Sequence, residues 1–173
     1  MAAKDKPILF AGWKVRAIYN GATQTRRPIA NKWLRCLCLP DDIEDVIAQA
    51  PYQPGDMLWV RETWIGDNNR YHYRATQDVA HWKWKPSIHM PRKAARLFLE
   101  VTGVRVQRIQ DISREDCHAE GLDEDQLDGG SHCIDGMKSW HVWMMDVWEK
   151  AYPGSWQRND WVWVYDFKRI ARA

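Results

Sequence analysis

Between residues 96 and 109 apolar and polar side chains alternate, the period of a strand that buries one face, and Gly103 interrupts the run near its middle. So long a strand closes on its neighbours only if it bends, and glycine is the residue small barrels place at such a corner. Two more segments alternate in the same way. One is 57–64, launched by the turn Pro54-Gly55-Asp56, and the other is Trp161–Ile170, which follows Tyr152-Pro153-Gly154. A short strand is expected at 7–10, and one at 71–75 pairing with 57–64.

The helical signals are fewer. A helix at 13–20 ends at Gly21, a residue suited to the left-handed position after a helix. Ser113 with Asp116 three residues on resembles a capping box, so a short helix runs over 114–120 and stops at Gly121. Trp140, Trp143, Met144, Val147, Trp148 and Ala151 recur at helical spacing and give one apolar face. A further helix at 41–50 is capped by an aspartate. The segment ATQTRRPI reads as a polar, basic loop, and 30–53 and 123–138 read as surface insertions. Strands outnumber helices and turn signals separate them. The expected fold is therefore α+β: one domain over residues 1–173, a small mixed β-barrel of about five or six strands with flanking helices.

With 173 residues there is material for one hydrophobic core. A net charge of +2 gives no whole-molecule field for a polyanion, so any anion site must be local. Twelve tryptophans are the outlier, and some of these rings are expected to line a groove. The opening run MAAKDKPILF is too short for a signal peptide, no stretch reaches a membrane span, and Cys36, Cys38, Cys117 and Cys133 follow no disulfide or zinc spacing. The expectation is a cytoplasmic protein with reduced thiols, no membrane partner, no metal and no cofactor.

Three constellations carry chemistry. Thr23, Thr25, Arg26 and Arg27 place two hydroxyls and two guanidiniums on one short segment, suited to phosphate; the alternative is a solvated basic turn. Trp82, Trp84, Lys83, Lys85, His89, Arg92 and Lys93 interleave aromatic and basic groups, as stacked bases and a tracked backbone require; the alternative is a satellite cluster with both indoles folded under. Glu62 and Glu120 are candidate acids or bases, against the alternative of solvated carboxylates.

The order of these pieces resembles the ASCH family of the PUA-like superfamily. GATQTRRP, QPGDMLWVRETW, KPSIHMPR, DISREDCHAEGL and WVWVYDFKRI look like the larger ASCH-type proteins of bacteriophages and prophages. The resemblance implies a PUA-like barrel with a cleft beside the first helix. It also implies recognition of RNA, single-stranded nucleic acid or a modified nucleotide. One small relative is an amidohydrolase that deacetylates acetylcytidine with a Lys, a Thr and a Glu. Matched motif to motif, the Thr falls on Thr25, the Glu on Glu120 and the Lys on Ala22.

With no amine at position 22, a binding module is the leading reading, and a hydrolase acting on RNA or an acylated cytidine the alternative. Lys14, two helical turns earlier, is not expected to reach the same point, and His118 and Glu120 are expected on different faces of their helix. A third reading is a phage protein that binds a host protein through a Trp-rich face.

Overall fold

The computed structural model describes residues 5–29, 43–67, 70–77, 79–123 and 139–171. The stretches 30–42 and 124–138 of the expected insertions, with Cys36, Cys38, His132 and Cys133, lie outside the described residues. In chain order the elements are β1 (Asp5–Leu9), α1 (Gly12–Tyr19), β2 (Gln24–Pro28), α2 (Ile43–Ala48), β3 (Met57–Arg61), β4 (Trp64–Asp67), β5 (Arg70–Tyr73), β6 (Phe98–Arg108), α3 (Arg114–Glu120), α4 (Ser139–Ala151) and β7 (Trp161–Ile170).

The class is α+β. Five strands form one mixed sheet in the order β1-β3-β6-β7-β2, and β4 and β5 form a separate two-stranded sheet. Only β1 and β3 run parallel; β3–β6, β6–β7 and β7–β2 are antiparallel. The long β6–β7 ladder is the backbone of the sheet, and its register shifts between Val101 and Gly103. A Cβ at Gly103 would stand 3.0 Å from Asp166 Oδ2, so glycine lets that carboxylate approach the bend closely.

Three expectations are corrected. The ATQTRRPI segment is not a loop but the edge strand β2, paired from Gln24 opposite Asp166 to Pro28 opposite Val162. A proline is tolerated there because an edge strand leaves one row of amides without a ladder partner. The 57–64 segment divides at Glu62, and β5 pairs with β4 rather than β3. The ladder does not close into a barrel: β1 and β2 are the two edges of the sheet. What crosses the gap is a side chain, Arg27 of β2, whose guanidinium donates to the Leu9 carbonyl of β1 and lies 5.2 Å from the Phe10 ring.

The two faces of the sheet carry separate cores. On one, Val15 and Ile18 of α1 and Val46 of α2 pack on Ile8, Leu58, Val60, Leu99, Val101, Trp163, Tyr165 and Phe167. On the other, Cys117 of α3 and Met144 and Trp148 of α4 pack on Ile109, Ile112, Trp156, Val162 and Val164. Strand alternation in β7 sends Tyr165 to the first core and Val164 to the second. The α3 cap forms as its sequence predicts, with Ser113 accepting from the Asp116 amide at 3.1 Å and Gly121 in the left-handed conformation at φ 107°.

Candidate functional site

A pocket of about 170 Å3 lies at the gap between the sheet edges, closed over by α4. Its walls are apolar and aromatic, with Phe10, Trp13, Val147, Trp148 and Tyr152 among them. Its polar groups come from three elements: Lys14 of α1, Thr25, Arg26 and Arg27 of β2, and Glu120 at the end of α3.

Lys14 belongs to the buried stripe of α1 together with Ala17 and Ile18, three and four residues on, so the helix points an ammonium into the protein. Every ammonium hydrogen has an acceptor: the Gln24 carbonyl, the Glu120 carbonyl at 2.8 Å and Glu120 Oε2. The other carboxylate oxygen, Oε1, accepts from Arg26 Nη1 at 2.9 Å. Arg26 also pairs through Nη2 with Asp116 at 2.8 Å, and Asp116 in turn accepts from Arg105 at 2.7 Å. Arg105 extends the chain of charges to Asp166, which accepts from Gln24 Nε2 at 2.7 Å.

The network carries three cations and three carboxylates, so the cluster is neutral while its Lys14 and Glu120 end borders the pocket. Burial pushes the Lys14 ammonium below its ordinary pKa, opposed by the attraction of Glu120. Burial acts to raise Asp116, but the guanidiniums of Arg26 and then Arg105 outweigh it and hold the carboxyl below the usual range. A carboxyl depressed in the fold contributes stability above its unfolded value and loses it as pH falls through the folded one. The acid limb of stability below about pH 4 is therefore expected to flatten in Asp116→Asn, measured by denaturant unfolding across that range.

Comparison with protein-family models, curated proteins and solved structures returned no match. The site is therefore defined by its own geometry.

Thr25 and Glu120, expected in one cleft, line the same pocket. Lys14, not expected there, lines it with them. Distance along the helix alone would keep it away. From Lys14 to Gly21 the helix advances about 10 Å at 1.5 Å per residue. After Gly21 the chain turns back through Ala22 and Thr23 into β2, and the Lys14 ammonium meets the Gln24 carbonyl at the start of that strand. Lys14 thus stands level with Gln24 and Thr25. The legible signal is a lysine inside the apolar stripe of a helix. Ala22 is buried beside Gly121, where an added Cβ would stand 3.4 Å from the Ala22 methyl.

Arg26 does not stand free for a phosphate as its sequence neighbourhood suggests; its guanidinium is buried and occupied by Glu120 and Asp116. Arg27 is half-buried and bonds Leu9 and, at 3.3 Å, the Tyr152 hydroxyl. Arg27→Ala is expected to cost roughly 1–2 kcal/mol by freeing the two sheet edges, read as a lowered midpoint in chemical denaturation. Thr23 is exposed, and its backbone ties α3 to β7 through the Ala119 carbonyl at 2.9 Å and the Phe167 amide at 2.8 Å.

The aromatic and basic loop lines no part of this pocket. Trp82 and Trp84 are half-buried with ring centres 5.4 Å apart, Trp82 packs on His72 of β5 at 4.6 Å, and Trp84 donates to the Val79 carbonyl at 3.2 Å. Lys83 and His89 are exposed, and Arg92 pairs with Asp5. The two indoles thus pack on each other and beside β5, half-buried and outside this pocket. Glu62 is fully buried and takes Arg96 through both oxygens at 2.8 and 3.0 Å, away from the pocket. His118 does not line the pocket. Burial pushes the Cys117 thiol up to about 12, which leaves it inert as a nucleophile. Among the described residues no group of three His, Cys, Asp or Glu side chains is placed to hold a metal ion, and no helix is long and apolar enough to cross a membrane.

Proposed function

We propose that this chain is an ASCH-type, PUA-like module, of the kind phages encode, that holds a single nucleobase of an RNA, another single strand or a nucleotide in the pocket beside α1. The observation that supports it best is a carboxylate fixed on the wall of a small aromatic pocket. At about 170 Å3 the cavity falls below the roughly 300 Å3 at which drug-sized sites begin, so it suits one planar ring system. Phe10, Trp148 and Tyr152 offer aromatic surface for that ring. Glu120, clamped by Lys14 and Arg26, keeps lone pairs for an exocyclic amine.

Calorimetric titration with cytidine, adenosine, acetylcytidine and the 5′-monophosphates tests this. Binding of at least one is expected, with Glu120→Gln weakening it roughly tenfold or more and Thr25→Ala weakening it less. No binding of any of them at millimolar concentration refutes the reading.

One observation favours a hydrolase. Thr25 and the Lys14 amine border the same pocket, and burial eases proton loss from Lys14. In such a reaction the Thr25 hydroxyl attacks an acyl carbonyl, its proton passes to Lys14 and then to the departing amine, and water releases the acyl group. The engagement of all three ammonium hydrogens argues against it, because the lone pair forms only if an acceptor is abandoned. Acetylcytidine recovered intact after prolonged incubation supports the binding module. Release of acetate that is lost in Lys14→Met makes it an enzyme.

A further inference from the structure

Beside the pocket lies a larger trough of about 680 Å3 between α1 and α4. The two share Ala11, Trp13, Val147 and Ala151, so they are continuous, with Trp13 at the seam. Trp13 is 37% exposed and stands edge-on to Trp143, ring centres 6.2 Å apart. Trp13, Arg16, Ala17 and Asn20 recur at the spacing of one helical face, and all four line the trough. Ala17 and Gly121 keep its floor low.

Arg16 is exposed and donates to the Ala75 carbonyl at 3.2 Å. Among the described residues no carboxylate pairs with it. Lys150, the other cation on the lining, is held by Asp146 at 2.6 Å. Asp123 also lines the trough.

Resting on the reading of the inner pocket as a nucleobase site, we propose that the trough seats the adjoining nucleotide. The ligand is then a single strand of at least two nucleotides, with its linking phosphate on Arg16 and its second base on Trp13. Size supports the division: the inner pocket takes one ring system, and the trough is large enough for a whole nucleotide. Charge supports the direction, since Arg16 lines the trough, is exposed and has no carboxylate partner among the described residues. An exposed indole at the seam is the sequence-tolerant platform that single strands use.

The test is titration of the folded protein with the four nucleosides and the four matching dinucleoside monophosphates at two salt concentrations. At least one dinucleotide is expected to bind about tenfold tighter than its nucleoside, with an advantage that shrinks as salt rises. Arg16→Ala is expected to remove the salt-dependent part of that advantage and leave nucleoside affinity unchanged. Thermal unfolding of the variant checks that loss of the Ala75 contact has not loosened α1. Nucleosides that bind as well as dinucleotides overturn the trough proposal and leave the pocket reading standing. Failure of both sets to bind overturns both.

Discussion

Arg26→Ala is expected to lower stability by roughly 3–5 kcal/mol, which for a domain of this size displaces the thermal midpoint by about 6–20 °C. Arg26 is 3% exposed and its guanidinium joins Glu120 of α3 to Asp116 one turn earlier, so removing it leaves two carboxylates short of a partner. Lys14 and Arg105 remain, but neither reaches both acids. Arg26→Lys is expected to recover only part of the loss, because an ammonium presents a point charge where the planar fork served two carboxylates at once. Thermal and denaturant unfolding of both variants measures this. A variant Arg26→Ala within about 1 kcal/mol of the parent would mean that the cluster contributes little and that β2 is held by its ladder alone.

Gly121→Ala is expected to be of similar severity, roughly 2–5 kcal/mol, and to damage the pocket as well as the fold. Gly121 has φ 107°, where a side chain is strained, and a Cβ there would stand 2.4 Å from the Ala17 Cβ of α1. The clash is with a methyl group fixed to helix backbone, which cannot swing away. The end of α3 must then retreat from α1, and Glu120, its last residue, retreats from Lys14. Ligand binding is expected to fall by more than Glu120→Gln alone produces. Ala17→Gly in the same chain is expected to restore part of both by emptying the space the new methyl needs. A variant Gly121→Ala that keeps parental stability and binding would place the α1–α3 contact outside what forms the site.

Residues 96–109 and 161–170 are legible as strands because each buries alternate side chains, and period two survives whatever the partners are. The Gly103 bulge and the Ser113 cap are legible for a similar reason, each being a local requirement on one residue. The helix of 140–151 carries its own apolar face. The insertion at 30–53 is legible only in part, since α2 sends Val46 into the core shared by α1 and the sheet.

Two features are hidden from the sequence, and they share a cause. QTRRP has the polarity of a loop because its buried partners are remote in the chain, Glu120 at 94 residues from Arg26 and Asp166 at 142 from Gln24. Only tertiary structure supplies the opposite charges that let a strand bury Gln24 and Arg26. In the same way the interleaved Trp and Lys residues of 82–93 carry a strong local pattern, yet whether they face a ligand depends on the β4–β5 hairpin they fold against.

By itself the sequence determined the α+β class, the long strands and the capped helix α3. The chain reversal at Gly21 decided that Lys14 joins Thr25 and Glu120 at the pocket. The tertiary structure also decided that Arg26 is a structural tie and that the sheet is bridged at its edges by Arg27 instead of a ladder. Local periodicity fixes which face a side chain takes, whereas a buried charge is decided by the distant partner that neutralises it.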